Sequence, residues 1–426
     1  MGKDREKWNT YQFSEVCNVN PNYKFERNKE YSYVEMAAVS QSSPKLKYIQ
    51  KKEHTGQGGS KFRNGDVLFA RITPCTQNGK TAHVTDLETE YGFGSTELIV
   101  LSPKEEMLLD KYLYYFVKDN KVRNRAIARM VGTTGRQRVP NEFFKEELEI
   151  DLPSIQEQQK IASILSSVDE AIEKTEVIIE QTEEVKKGLM QQLLTKGIGH
   201  KKFKKTEVGE IPLDWEVVKI IDIAENEKNA VKPGPFGSSL KKEFYVKSGY
   251  KVYGQEQVIA NDFKIGEYYI DDKKYEELNA FKVKPFDLLI SLVGTFGKIA
   301  VVPERKFKPG IINPRLLKIT FDKSKANVHY YKYYMSSSSF YQQLEGMSQG
   351  GTMGVINGKI LKSIHFPLPS LDEQQRIVNI LTNIDQKLDI ETRKCGQLQI
   401  LKKGLMQSLL TGKVRVKVDE AEVTQV

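Results

Sequence analysis

Arginine crowds one stretch of this 426-residue sequence: Arg123, Arg125, Arg129, Arg136 and Arg138, the last two flanking Gln137 beside Gly132, Thr133, Thr134 and Gly135. Guanidinium and amide groups make paired hydrogen bonds to base edges, cations neutralise phosphates, and glycine lets backbone come close. The stretch reads as a nucleic-acid-reading loop, although a structural turn carrying solvated arginines would use the same residues. Arg63, Arg71, Gln77, Asn78 and Lys80 form a second such cluster. Arg71, on an apolar run, serves equally well as a structural ion-pair partner. In the second half, Gly237, Ser238, Ser239, Lys241 and Lys242 make a polar loop after Pro235-Phe236. Tyr253, Gln255 and Gln257 alternate as one face of a strand would, and Thr295, Lys298 and Arg315 are further candidates. Ser348, Gln349 and Thr352 lie at a Gly-Thr-x-Gly step shared with the first half but lack its arginines. That contrast predicts two unlike reading surfaces. The aromatic runs Tyr112 to Phe116 and Tyr330 to Tyr334 read as helix core rather than base-stacking platforms.

Other constellations fail on their chemistry. Asn78-Gly79-Lys80-Thr81 resembles the end of a phosphate-binding loop, but Pro74 stands where the leading glycine belongs. Asn313-Pro314-Arg315-Leu316 lacks the second proline and the aromatic that hold a flipped base in an amino-methyltransferase. Gly92-Phe93-Gly94 is too short for a cofactor loop. His54, His83, His200, His329 and His365 are scattered without metal-ligand spacing. Glu184 and Lys186 have a nuclease-like spacing but fall on a helix, two residues apart, pointing different ways. The expectation is a chain with no catalytic residues, metal or cofactor of its own.

A net charge of +9 favours a polyanionic partner, and 39% hydrophobic with 28% charged residues suits a soluble globular chain. The start, MGKDREKW, is charged where a signal peptide turns apolar, and no apolar run nears the ~20 residues that span a bilayer. Cys17, Cys75 and Cys395 are far apart and odd in number, which suits a reducing compartment. A cytoplasmic protein without a membrane segment is expected.

These residues are carried by a repeated frame. LPSIQEQQKIASI (152–164) returns as LPSLDEQQRIVNI (368–380), and KKGLMQQLLT (186–195) as KKGLMQSLLT (402–411), both displaced by 216 positions with no gap. An unbroken register implies a rigid element, and its apolar spacing is helical. Ile161, Leu165, Val168, Ile172, Val185 and Leu189 in the first copy, with Ile377, Leu381, Ile384, Leu388, Leu398, Leu401 and Leu405 in the second, mark a coiled-coil seam. Ser154 and Ser370, each three residues before Glu157 or Glu373, have capping-box spacing. About 39 helical residues rising ~1.5 Å each make a rod of roughly 58 Å. The copies are natural partners for each other, although a seam between two molecules would look the same. The preceding segments are related too: GDVLFARI (65–72) parallels FDLLISLV (286–293), and KYLYYFV (111–117) parallels HYYKYYM (329–335). The expected fold is α+β: two globular domains separated by two long helices packed as an antiparallel coiled coil, with an internal pseudo-two-fold. Its boundaries are 1–151, 152–199, 200–367 and 368–413, with a tail at 414–426.

LPxxxEQ opening a long helix twice, KKGLMQxLLT closing it twice, and GEIPLDWEVVKI opening the second half resemble the specificity subunits of type I restriction–modification enzymes. GPFGSSLKKEFY (234–245) and GFGSTELIVL (92–101) are similar to segments of that family's target-recognition domains. The resemblance covers nearly the whole chain. It implies a non-catalytic subunit on double-stranded DNA, each recognition domain reading one half of an asymmetric bipartite target. The half-sites would lie about one helical turn apart, near 10 bp. It also implies two methyltransferase subunits and restriction–translocase subunits as partners, with S-adenosylmethionine, ATP and magnesium on those partners. A coiled-coil scaffold that touches DNA only through charge is the alternative, and steep salt dependence without sequence preference would mark it.

Overall fold

A computed structural model of the chain describes residues 8–56, 58–133, 135–292, 297–347 and 358–417. It divides into two units, Met1–Ile178 with Glu391–Val426, and Ile179–Ile390.

In the first unit, Val67–Ala70 is buried along its whole length and pairs antiparallel with Leu98–Pro103, also wholly buried. Apolar runs without polar alternation need a sheet covered on both faces, and this one is. The sheet order is Cys17–Val19, Leu98–Pro103, Val67–Ala70, Thr81–His83. Alternate side chains divide between two cores, as the strand period of two requires. Val67, Phe69, Ile99 and Leu101 join the tyrosines of helix Asp110–Lys118. Leu68, Ala70, Leu98 and Val100 join Val34 and Phe62 of a second four-stranded sheet, ordered Gln50–His54, Lys29–Val34, Tyr91–Gly94, Ser60–Arg63.

The second unit repeats the plan. Its main sheet runs Val231–Pro233, Leu316–Ile319, Leu288–Ser291, Ile299–Val301, and its smaller one Tyr269–Ile270, Tyr250–Tyr253, Gly310–Ile312. The second sheet of each unit contains one parallel pair, Lys29–Val34 with Tyr91–Gly94 and Tyr250–Tyr253 with Gly310–Ile312. Helix Val328–Met335 matches Asp110–Lys118, and Tyr112, Tyr114, Tyr330 and Tyr331 are buried core, as their spacing predicted.

The LPS motifs start the two long helices, Ile155–Lys196 and Leu371–Leu409. Ser154 and Ser370 each accept from the backbone N–H of the glutamate three residues on, both at 3.3 Å. In the first unit Ile161, Ala162 and Leu165 share a core with Met406, Leu409 and Leu410. In the second, Leu193 and Leu194 share one with Ile377, Val378 and Leu381.

The expected seam needs one correction. Ile161, Leu165, Ile172, Ile377 and Leu381 are buried, and Val168, Leu189, Ile384, Leu388, Leu398 and Leu405 half-buried. Val185 and Leu401 are instead 54% and 50% exposed. The next residue of each, Lys186 and Lys402, turns inward to a carboxylate, Asp385 at 2.6 Å and Asp169 at 2.5 Å. One residue is about 100° of helix, so lysine and aliphatic cannot both face inward. Among the described residues, no helix is long and apolar enough to cross a membrane.

Candidate nucleic-acid interface

In the first unit the arginine-rich stretch forms a hairpin. Val131 and Arg138 exchange both backbone hydrogen bonds, at 3.0 and 2.9 Å, and Arg136 N–H closes the turn on the Thr133 carbonyl at 2.9 Å. Gly132 and Gly135 sit at φ +121° and +82°, where a side chain would strain the backbone. One edge of the hairpin is stitched to the Arg71 segment, Thr73 N–H to Gln137 O at 3.0 Å and Val139 N–H to Arg71 O at 2.8 Å. The loop that follows is anchored by the Thr76 hydroxyl on the Ala70 carbonyl at 2.8 Å. Arg71, Gln77, Asn78, Arg136 and Gln137, distant in sequence, thus share one edge. Thr133, Arg136, Gln77 and Asn78 are exposed there. Beside Arg71 a cleft of ≈ 420 Å³ is also lined by Asn22, Ser60 and Lys61. Sequence reasoning missed these three because they come from separate strands and loops.

Other candidates are committed elsewhere. Lys80 donates to the Met36 carbonyl at 2.7 Å, Arg125 to the Glu147 carbonyl at 3.0 Å, and Arg138 grips Glu97 through bonds of 2.6 to 3.0 Å. Arg63 ends strand Ser60–Arg63 of the unit's second sheet and pairs with Glu105 at 3.5 Å. Arg123 folds against Gly79, where an added Cβ would meet its Nη1 at 2.3 Å. Arg63, Arg125 and Arg138 stay exposed while so paired, whereas Lys80 and Arg123 are half-buried. Beneath the loop, the Lys118 ammonium donates to the Gly79 and Gln41 carbonyls at 2.6 and 2.7 Å. Burial, with Lys402 and Arg123 nearby, pushes Lys118 down to about 7. Thr134 lies outside the described residues.

In the second unit the polar loop is seated on the turn at Asn313. Gly234 approaches so closely that a Cβ would come within 1.9 Å of the Asn313 carbonyl oxygen, and its N–H reaches Leu316 O at 2.8 Å. Gly254 abuts the Asn313 amide from the other side. Ser291 and Leu292 bond the carbonyls of Lys298 and Arg315, both at 2.9 Å, so those exposed cations flank one strand end. Gln255 reaches the Ser291 hydroxyl at 2.5 Å. Ser238, Lys241 and Lys242 are exposed and Ser239 half-buried. Phe236, 85% exposed among them, was missed; its signal was an aromatic in a polar loop without a periodic partner.

The strand expected through Tyr253, Gln255 and Gln257 is corrected. The strand stops at Tyr253 and helix Gln255–Ala260 begins, so the three share no face. Tyr253 and Gln257 are fully buried. The Tyr253 hydroxyl donates to Lys308 O at 2.6 Å, and Gln257 caps the Gly254 N–H at 2.7 Å and donates to Ile265 O at 3.0 Å. Thr295, Ser348, Gln349 and Thr352 lie outside the described residues.

The repeated Glu-Gln of each helix start mounts these surfaces. Gln158 donates to Met107 O and Pro153 O at 2.9 and 3.1 Å and accepts from Leu109 N–H at 3.0 Å. Gln374 does the same with Lys325 O, Pro369 O and Asn327 N–H at 3.0, 2.9 and 2.7 Å. Glu157 binds Arg415 at 2.7 and 2.8 Å and the Val416 N–H at 3.2 Å. Burial works against ionisation of Glu157, but those donors prevail and hold its carboxyl below the ordinary range. Glu373 instead takes His200, Trp215 and the Ile198 N–H, each at 2.9 Å.

The sequence profile of the type I restriction modification DNA specificity domain matches residues 5–184 and 212–399. A Methanocaldococcus jannaschii chain, described as the type I restriction enzyme MjaX specificity subunit, is 31% identical over 427 positions, spanning 98% of this chain and 96% of its own. The MjaVIII specificity subunit of the same organism is 30% identical, over 76% of this chain and 75% of its own. A solved chain from a study of complex assembly and conformational transition in a type I R-M system superposes with TM-score 0.57 at 19% identity, covering 97% of this chain and all of that one, a likeness of fold.

Proposed function

We propose a division of labour within this chain, which belongs to the type I restriction–modification DNA specificity family. It is the specificity subunit of such a system. Residues 1–151 read one half of an asymmetric bipartite duplex target and residues 200–367 the other. Residues 152–199 and 368–413 form an antiparallel coiled coil that sets the interval between them, and residues 414–426 are a tail. Two methyltransferase subunits dock on or beside the helices, restriction–translocase subunits join them, and this cytoplasmic chain contributes recognition without catalysis.

The observation that carries the reading is the hairpin 131–138 stitched beside the Gln77–Asn78 loop, which puts guanidinium and amide groups on one accessible edge. In the first unit that edge belongs to the domain Gln158 mounts on its helix. The second unit offers Ser238, Lys298 and Arg315 around a similarly mounted strand end. Thr133, Gln77, Asn78, Arg136, Gln137, Arg315 and Lys298 are the residues proposed to meet DNA, with Arg71 lining the adjacent cleft. Arg63, Lys80, Arg123, Arg125 and Arg138 contribute through placement and charge.

The test is the methylated motif in cells expressing the full complex. Replacing residues 1–151 by another recognition domain should change one half-site only, and inserting one helical turn in both long helices should lengthen the unread gap. A gap indifferent to insertion, or both half-sites changed by one replacement, overturns the proposal.

A further inference from the structure

Among the charged residues that recur at the 216-residue displacement, two pairs meet across the long helices without being needed for helix formation: Asp169 and Asp385, with Lys186 and Lys402. In the first unit the Tyr115 hydroxyl donates to Asp169 Oδ2 at 2.8 Å and approaches Ser166 Oγ at 3.3 Å, while Lys402 Nζ lies 2.5 Å from Asp169 Oδ1. In the second, Tyr333 donates to Asp385 Oδ2 at 2.7 Å and approaches Thr382 Oγ1 at 3.4 Å, while Lys186 Nζ lies 2.6 Å from Asp385 Oδ1. Each cluster ties three elements: a recognition-domain helix, the near segment of one long helix and the facing segment of the other. We propose that these two Tyr–Asp–Lys clusters are register locks, positioning residues that admit one alignment of the long helices and attach each recognition domain to it. The proposal deepens the spacing reading above and rests on it.

The alternatives available to the seam support this. Apolar packing alone tolerates a slip of one heptad, because leucine opposite leucine looks the same seven residues on. Such a slip would set Asp169 opposite Cys395 or Leu409, and Asp385 opposite Ile179 or Leu193. Both carboxylates would lose their cations together. Side-chain exposures of 10% at Asp169 and 12% at Lys402 leave the first lock little water to replace the lost partner. Asp385 and Lys186, at 39% and 29%, are wetter, so the first lock is the stricter one. The locks also account for the inward turn of both lysines, which displaces Val185 and Leu401 to the surface. A polar group that specifies alignment is the best attested use of charge in a helical seam.

The experiment uses the full chain and a readout of alignment independent of DNA. Glu176 is near enough to Cys395 that, after burial, its charge helps raise the thiol, and the register of the locks places the two opposite each other. Glu176→Cys with the native Cys395, treated with a short bis-maleimide and mapped by mass spectrometry, therefore reports the native register. Asp169→Lys with Lys186→Asp keeps composition and helix but opposes like charges in both units. The expected crosslink yield falls at least tenfold, and equally for Asp385→Lys with Lys402→Asp. All four substitutions together restore opposite charges, and a tyrosine hydroxyl can accept as well as donate, so the yield should return to within twofold. Native yield from a mispaired chain, or no recovery in the fourfold variant, overturns the locks. Crosslinks restored while the unread gap ignores helix insertion would sink the ruler and leave the locks standing.

Discussion

The two units share a skeleton and differ at the edges. Buried Asp66 and Asp287 each close a turn by accepting a backbone N–H three residues back, Arg63 at 2.9 Å and Lys284 at 2.7 Å. Gln158 and Gln374 mount the domains with matching bonds, and Tyr115 and Tyr333 reach equivalent carboxylates, Asp169 and Asp385. Among the described residues, what differs is the outer decoration: helices Gln255–Ala260 and Asp272–Glu277 stand between the strands of the second unit. Polar identity between the halves therefore marks residues that hold the scaffold. Divergence marks the surfaces on which two readers can be unlike.

The largest effect should come from the paired aspartates. Asp287 faces Lys318 at 3.8 Å with both side chains buried, whereas Asp66 is held by the Tyr23 hydroxyl at 3.0 Å and backbone. Asp287→Asn strands a buried ammonium and should cost about 3–5 kcal/mol, against about 1 kcal/mol for Asp66→Asn, which keeps neutral partners. Urea unfolding of both variants checks this, and equal losses would erase the contrast. Burial raises both carboxyls above their ordinary range, so the folded state holds the proton more tightly. Their contribution to stability should grow as pH falls through the raised value and level off below the ordinary one.

An intermediate effect separates the readers. Arg136→Ala should relax discrimination in one half-site and Arg315→Ala in the other, each by about 1–3 kcal/mol in competition binding against single-position variants of the target. Relaxation of both halves by either substitution would contradict separate readers.

A pH slope separates the two units as well. An unfolded lysine titrates near 10.4, whereas Lys118 is pushed down to about 7 by burial. Between those values the unfolded chain binds the extra proton, so stability should rise with pH, the penalty being full below the folded value. Lys118→Met should flatten that rise. Lys332 of the second unit is also lowered by burial but is partly offset by Asp385, so Lys332→Met should flatten it less. Thermal unfolding from pH 7 to 10 compares the two, and an unaltered slope in Lys118→Met refutes the assignment.

Much of the frame was legible in the residues. A gapless helical repeat displaced by 216 positions announced two equivalent long helices, and tyrosine runs at helical spacing announced core. These are properties of local periodicity, which one segment carries by itself. The locks were half legible: identical charges 216 positions apart were visible, but apolar spacing drew attention to Val185 and Leu401 instead.

Tertiary structure alone decided which polar groups are buried or already paired. Gln257 and Tyr253 look like readers until the strand ends at Tyr253, a helix begins at Gln255 and both side chains are buried. Arg138 looks like Arg136 until Glu97, forty-one positions away, takes its guanidinium. Sequence pattern determined where helices and strands run, because backbone geometry repeats locally. It could not determine which cation is already paired, because a hydrogen-bond partner is chosen by distance in space and not by distance along the chain.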